Sequence, residues 1–240
     1  MWSWVAASLL VLFLLFSYAH RLLVLVLPRD FAQSLETLDP WSREPQVFRL
    51  WLAMSLHGLV SCLAALFLGQ DDQFVFAWRL ASVLFDLGGW IYAFRDEPGF
   101  LRDPRLILNH VVWIVLILRF FNSECLPAKQ LVMLQILREG ATPFIAARNM
   151  FQMTISSDSF CSYFNSVLLG VSFFLCHNLV NLYTIARVYG SFSFLSHCIG
   201  IRQQLVLYSS ISILILLSVS WSFSLFRTLH QEFFQPEKED

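Results

Sequence analysis

The sequence predicts an all-α integral membrane protein, a bundle of about seven transmembrane helices, and three observations predict it. Of 240 residues, 57% are hydrophobic and only 14% charged, with a mean hydropathy of +0.62, whereas soluble domains carry roughly a quarter charged residues. Apolar runs recur that are long enough, at about 20 residues of helix, to cross the hydrocarbon core. Short polar breaks separate these runs, and none of them could hold a soluble domain.

The first span is read at 3–27. Its opening, MWSWVAASLLVLFLLFSYAH, has no basic n-region and no clear cleavage site, and its apolar run exceeds a signal-peptide core, so it is expected to stay as a helix. The later spans are read at 48–69, 73–94, 106–121, 129–149, 163–188 and 205–227. The fourth is short. The breaks are LPRDFAQSLETLDPWSREP, GQDDQ, RDEPGFLRDPR, NSECLP, TISSDSF and GSFSFLSHCIG. The chain thus divides into a first helix and loop at 1–47, a transmembrane domain at 48–227 and a tail at 228–240.

Positively charged short loops tend to remain cytosolic. Arg29, Arg43, Arg49, Arg95, Arg102 and Arg105 fall in the first and third loops, and Arg227 and Lys238 at the tail. The opposite side has an uncharged amino terminus, the Asp71–Asp72 turn, Lys129, and Arg187 and Arg202. The bias predicts a lumenal or extracellular amino terminus and a cytosolic carboxyl terminus. A formal net charge of −1 offers nothing to nucleic acid.

The five cysteines, Cys62, Cys125, Cys161, Cys176 and Cys198, show no C-x-x-C spacing, so neither zinc nor a disulfide framework is signalled. They are expected to be small packing residues. Cys125 and Cys198 share a side, but the sequence does not bring them within bonding distance, and the expectation is that they do not pair. No metal and no resident cofactor are expected.

Ionisable groups deep in hydrocarbon cost a few kcal/mol or more and normally face a partner or a wet cavity. Five consecutive spans each supply such residues: His57; Asp86; His110 beside Asn109; Arg138 and Glu139; His177, Asn178 and Asn181. A rise of about 1.5 Å per residue puts His57, Asp86 and Glu139 at similar depth, with His110 shallower and His177 deeper from the cytosolic side. A shared polar cavity in spans two to six is expected, with spans one and seven peripheral. The bland alternative is mutual satisfaction that fixes helix register, for instance Asp86 with Arg79, or Glu139 with a histidine. Pro143 removes a backbone hydrogen bond and predicts a kink that gathers Glu139, Thr142 and Arg148 around irregular backbone. Gly88 and Gly89 are expected to admit close helix approach.

Four segments, LHGLVS with His57 and Gly58, FDLGGWIYAF, LNHVVWI and EGATPFIAAR, resemble the TLC-domain family, which includes the ceramide synthases. Arg187 in YTIARVYG fits as well, and the similarity looks closest to the small TLC-domain transmembrane proteins. The resemblance covers roughly 48–227. It implies a six-helix core plus one further helix, a place in the endoplasmic reticulum or a related membrane, and work on lipids such as sphingolipids. In ceramide synthases an adjacent histidine pair supports transfer of a fatty acyl group from coenzyme A to a lipid amine. Here the matching positions read Asn109 and His110, and asparagine cannot accept a proton or readily form an acyl intermediate.

Two functions follow as expectations. The first is lipid binding or membrane lipid homeostasis, with a cavity lined by His57, Asp86, Asn109, His110, Glu139, Thr142 and His177, and membrane lipids as the partners. The second is an acyltransferase using acyl-coenzyme A as substrate, in which His110 is base or nucleophile and Asp86 orients it. That mechanism requires Asp86 within hydrogen-bond reach of His110. A cargo or assembly role without a small-molecule site stands as a third class, since fold does not fix function.

Overall fold

The computed structural model describes residues 2–26, 43–68, 73–94, 104–154 and 160–234. Regular structure there is entirely helical: α1 (Trp2–Val26), α2 (Arg43–Phe67), α3 (Gln73–Phe94), α4 (Pro104–Phe120), α5 (Leu126–Ile136), a 3₁₀ segment (Leu137–Ala141), α6 (Thr142–Thr154), α7 (Phe160–Phe173), a π segment (Phe174–Leu179), α8 (Val180–Cys198) and α9 (Ile201–Phe234). Four stretches are long and apolar enough to cross a membrane: Val47–Phe67, Gln73–Tyr92, Phe160–Cys198 and Ile201–Gln231. Trp2–Tyr18 is a shorter apolar helix. The fourth and fifth expected spans differ in kind. Helix α4 has 17 residues, about 25 Å of rise, and the α5–α6 stretch is interrupted by 3₁₀ backbone.

Two boundaries move. The segment GSFSFLSHCIG, read as a break, is helical up to Cys198. Its polar side chains turn back onto their own helix: the Ser191 hydroxyl donates to the Arg187 carbonyl, and Ser196 and His197 Nδ1 both bond the Ser193 carbonyl. Such local bonds satisfy serine without breaking the helix. The helix stops at Ile199, whose backbone is extended at φ −133° and ψ 145°. Gln204 Nε2 then donates to the Ile199 carbonyl and secures the start of α9. At the other end α9 runs on to Phe234, so the first residues of the expected 228–240 tail are helical.

The expectation for Cys125 and Cys198 is overturned: they form a disulfide with Cα atoms 5.5 Å apart, across 73 residues of sequence. The reason is register. Helices α5 and α8 run antiparallel, tied by Gln135 to Thr184 and by Arg187 to Gln130, and the extra turns of α8 carry Cys198 up to Cys125. Cys62, Cys161 and Cys176 are free.

The main apolar core lies at the disulfide end. It gathers Val5 and Leu12 of α1, Phe76 and Leu80 of α3, Trp113, Leu116, Ile117 and Phe120 of α4, Leu131 and Ile136 of α5, and Leu207, Ile211 and Leu214 of α9. Edge-on ring contacts Trp4–Phe74 and Phe76–Phe121 bring the amino-terminal end of α1 to that same end. A smaller cluster, Ala141, Leu169 and Phe173 with Trp221 and Leu225, lies beyond the irregular segments. Between the two clusters the interior is polar.

Candidate functional site

Helix α2 enters the polar layer with His57 and Gly58. A Cβ on Gly58 would stand 2.7 Å from Thr142 Cβ and 3.1 Å from the Glu139 carbonyl oxygen, so glycine is what lets α2 lie against the 3₁₀ turn. One residue further along that turn, a Cβ on Gly140 would meet Cys176 Sγ at 2.8 Å and Cys62 Sγ at 3.0 Å. Three chains of backbone therefore converge: α2, the 3₁₀ segment and the π segment. The kink expected from Pro143 takes the form of this 3₁₀ turn immediately before it.

Asp86 pairs with His57. The imidazole Nε2 lies 2.8 Å from Asp86 Oδ1, with His57 fully buried and the carboxylate nearly so. Since a carboxylate accepts, Nε2 donates, and among the described residues the opposite nitrogen Nδ1 has no hydrogen-bond partner. Ser61 Oγ, one turn further along α2, has none either.

Glu139 pairs with Arg79, not with a histidine. Arg79 NH2 donates to Glu139 Oε1 at 2.5 Å, the Thr142 hydroxyl donates to Oε2 at 3.0 Å, and the guanidinium carbon sits 4.5 Å from the centre of the Trp113 ring. The carboxylate thus receives donors on both oxygens while the arginine plane covers an aromatic face, an arrangement suited to a desolvated ion pair. Asp86 and Arg79 share α3 but take different partners.

Arg138 is buried, and among the described residues its hydrogen-bond partner is Gln135 at 3.2 Å; Nε has none. Gln135 in turn donates to the Thr184 hydroxyl at 2.8 Å, which donates to the Val180 carbonyl. On α8, Asn181 lies one turn before Thr184, the residue that Gln135 meets. Asn181 is 5% exposed, and among the described residues neither its Nδ2 nor its Oδ1 has a hydrogen-bond partner.

His177 belongs to the π segment, stacks on Phe173 with ring centres 3.9 Å apart, and has Nδ1 2.6 Å from Ser218 Oγ of α9. The single hydroxyl proton of Ser222 is shared between Asn178 Oδ1 and the Ser218 carbonyl, each 2.9 Å away. Helix α9 is therefore not peripheral: its buried serines close the layer on one side. An extra residue in the helical ladder, as in a π turn, re-aims side chains and recurs at functional sites.

His110 stands apart. Its Nδ1 bonds the carbonyl of Leu106, one turn back in α4, at 2.7 Å, and Asp86 is engaged by His57, so the expected Asp86–His110 pair does not form. Asn109 beside it is half-buried. The structure brings together His57, Asp86, Glu139, Thr142 and Arg79, and separately links Arg138 through Gln135 to Thr184 and His177 to Ser218. Gln135, Thr184 and Ser218 escaped the sequence reading; Arg79 was named there as a partner for Asp86 but pairs with Glu139 instead.

Gly89 does permit close approach, since a Cβ there would lie 2.5 Å from Leu50 Cδ1, whereas Gly88 has nothing within 4 Å. Arg29, Arg95, Arg102, Lys238 and the Asp71–Asp72 turn, on which the orientation partly rests, lie outside the described residues. Among the described residues no group of three His, Cys, Asp or Glu side chains could hold a metal ion. No family model, no curated protein and no solved structure matches this chain.

Proposed function

We propose that this chain is a multi-pass membrane protein of the TLC-domain kind that binds a lipid, with the lipid's polar head group met inside the bundle between α5–α6 and the π segment. The observation that carries this reading is buried hydrogen-bonding capacity without a partner among the described residues: Arg138 Nε, both amide atoms of Asn181, His57 Nδ1 and Ser61 Oγ. Buried polar groups are paired in the great majority of cases, and exceptions cluster where a water, ion or ligand binds. The irregular 3₁₀ and π backbone flanking these groups supports the same reading, because broken helices at membrane depth line sites.

The chain crosses the bilayer seven times in this reading, with the interrupted α5–α6 and the combined α7–α8 stretch each counted as one span. The amino terminus is lumenal or extracellular and the carboxyl terminus cytosolic, in the endoplasmic reticulum or a related membrane. The disulfide supports that orientation: it lies at the end of the molecule where α1 begins, and disulfides persist on the oxidising side of a membrane. The acyltransferase reading is the weaker one. Its orienting carboxylate serves His57, and His110 is held by its own helix.

The test is photocrosslinking in native membranes with lipids carrying a diazirine in the head-group region. Labelled peptides covering 135–142 and 174–184 are expected. Labelling confined to outward-facing residues elsewhere, such as Leu216 and Phe223, would overturn the proposal.

A further inference from the structure

A second binding feature lies away from the polar layer, at the disulfide end. Between the first turns of α5 and the last turns of α8 runs an open groove of about 410 Å³, lined by Pro127, Ala186, Arg187, Gly190, Ser191 and Phe194. That volume falls in the range of small-molecule sites, about 300–1,000 Å³. Its shape follows from sequence. Ala186 and Gly190 are one turn apart and remove side-chain bulk from one face of α8, and the Cys125–Cys198 bond fixes the spacing of the two walls just beyond Phe194.

Arg187 is the one charged side chain in this lining. It donates through NH2 to Gln130 Oε1 at 2.8 Å, and among the described residues it has no other hydrogen-bond or ion-pair partner. That bond holds the guanidinium in place and leaves its remaining donors for a ligand. Around the groove α8 presents Tyr189, Phe192 and Phe194, all more than half exposed, as aromatic side chains do at the membrane interface. Arg187 is level with Gln130, about 6 Å along α5 from its start, near the disulfide end of the bundle.

We infer that this groove binds the phosphate of an anionic phospholipid from the leaflet on the disulfide side, with Arg187 pairing the phosphate and the lipid body lying along Ala186, Gly190 and Phe194. A guanidinium matches phosphate oxygens with parallel N–H donors, no acidic side chain lines the groove to repel them, and the exposed aromatics place the site against lipid. The inference goes beyond the head-group site in the polar layer and needs only that the chain lies in a membrane.

Native mass spectrometry of the full chain from nanodiscs tests it, with phosphatidylglycerol set against phosphatidylcholine. Wild type is expected to retain phosphatidylglycerol preferentially, and Arg187→Gln to lose that preference by roughly tenfold. Gly190→Leu fills the groove, and since nothing lies within 4 Å of its Cβ position, the fold should be untouched while retention falls as far. Undiminished retention in Gly190→Leu would overturn the site. Displacement by soluble glycerol 3-phosphate as readily as by lipid would overturn the lipid as its source.

Discussion

Asp86 lies 2.8 Å from His57 across the α2–α3 interface, with both side chains shut away from the surroundings. Removing one partner of a buried hydrogen-bonded pair leaves the other group unsatisfied, which costs roughly 1–3 kcal/mol and more for a charged group, whereas removing both costs less. His57→Ala and Asp86→Ala are each expected to lower the thermal midpoint in detergent markedly. The double variant should fall by less than the sum, a coupling readable from a double-mutant cycle.

Arg79, Glu139 and Trp113 make a second unit. Arg79→Ala removes an ion pair and a cation–π contact together and should destabilise more than Trp113→Phe, which keeps an aromatic ring in the core under the guanidinium. Glu139→Gln keeps an acceptor for Thr142 but loses the charge, and is expected to fall between them. Thermal unfolding of the three variants, followed by tryptophan-independent circular dichroism, checks the order.

The glycines divide by what surrounds them. Gly58→Val and Gly140→Val drive a side chain into Thr142 and into the two thiols, and overpacking of that kind costs about 1–3 kcal/mol. Gly88→Ala meets nothing and should be neutral or stabilising by up to about 1 kcal/mol, the helix preference for alanine. Equal effects at Gly58 and Gly88 would contradict the packing of α2 on the 3₁₀ turn.

Thiol counting tests the disulfide. The denatured, unreduced protein should take up three equivalents of a maleimide and five after reduction, because Cys62, Cys161 and Cys176 are free and Cys125 and Cys198 are joined. In sealed microsomes, Cys161, exposed at the start of α7, should react from the cytosolic side.

Much of this layer was legible along the sequence and little of it across helices. Hydropathy gives each residue's depth on its own helix, so His57, Asp86, Glu139 and His177 stand out one by one. Which of them meet depends on helix register, and that is set by contacts such as Gly58 against Thr142, where a missing side chain carries no polar signal. Asp86 accordingly found His57 rather than Arg79 or His110. Pro143 announced an irregular turn, but the π segment has no comparable marker, as FLCHNL reads like ordinary helix. Ser218 and Ser222 are too common a residue type to signal buried partners, and the serines of 190–198 suggested a loop because their bonds back to the helix carbonyls are invisible in the sequence.

Asn181→Leu probes the lipid reading most directly. The amide makes no hydrogen bond to the described protein, so a leucine of similar size should leave the thermal midpoint unchanged or raise it, since an unpaired buried polar group costs about 1–3 kcal/mol. Lipid carried through purification and counted by native mass spectrometry is expected to drop roughly tenfold, the loss of one to two polar contacts to a head group. Full lipid retention by a well-folded Asn181→Leu protein would contradict the account.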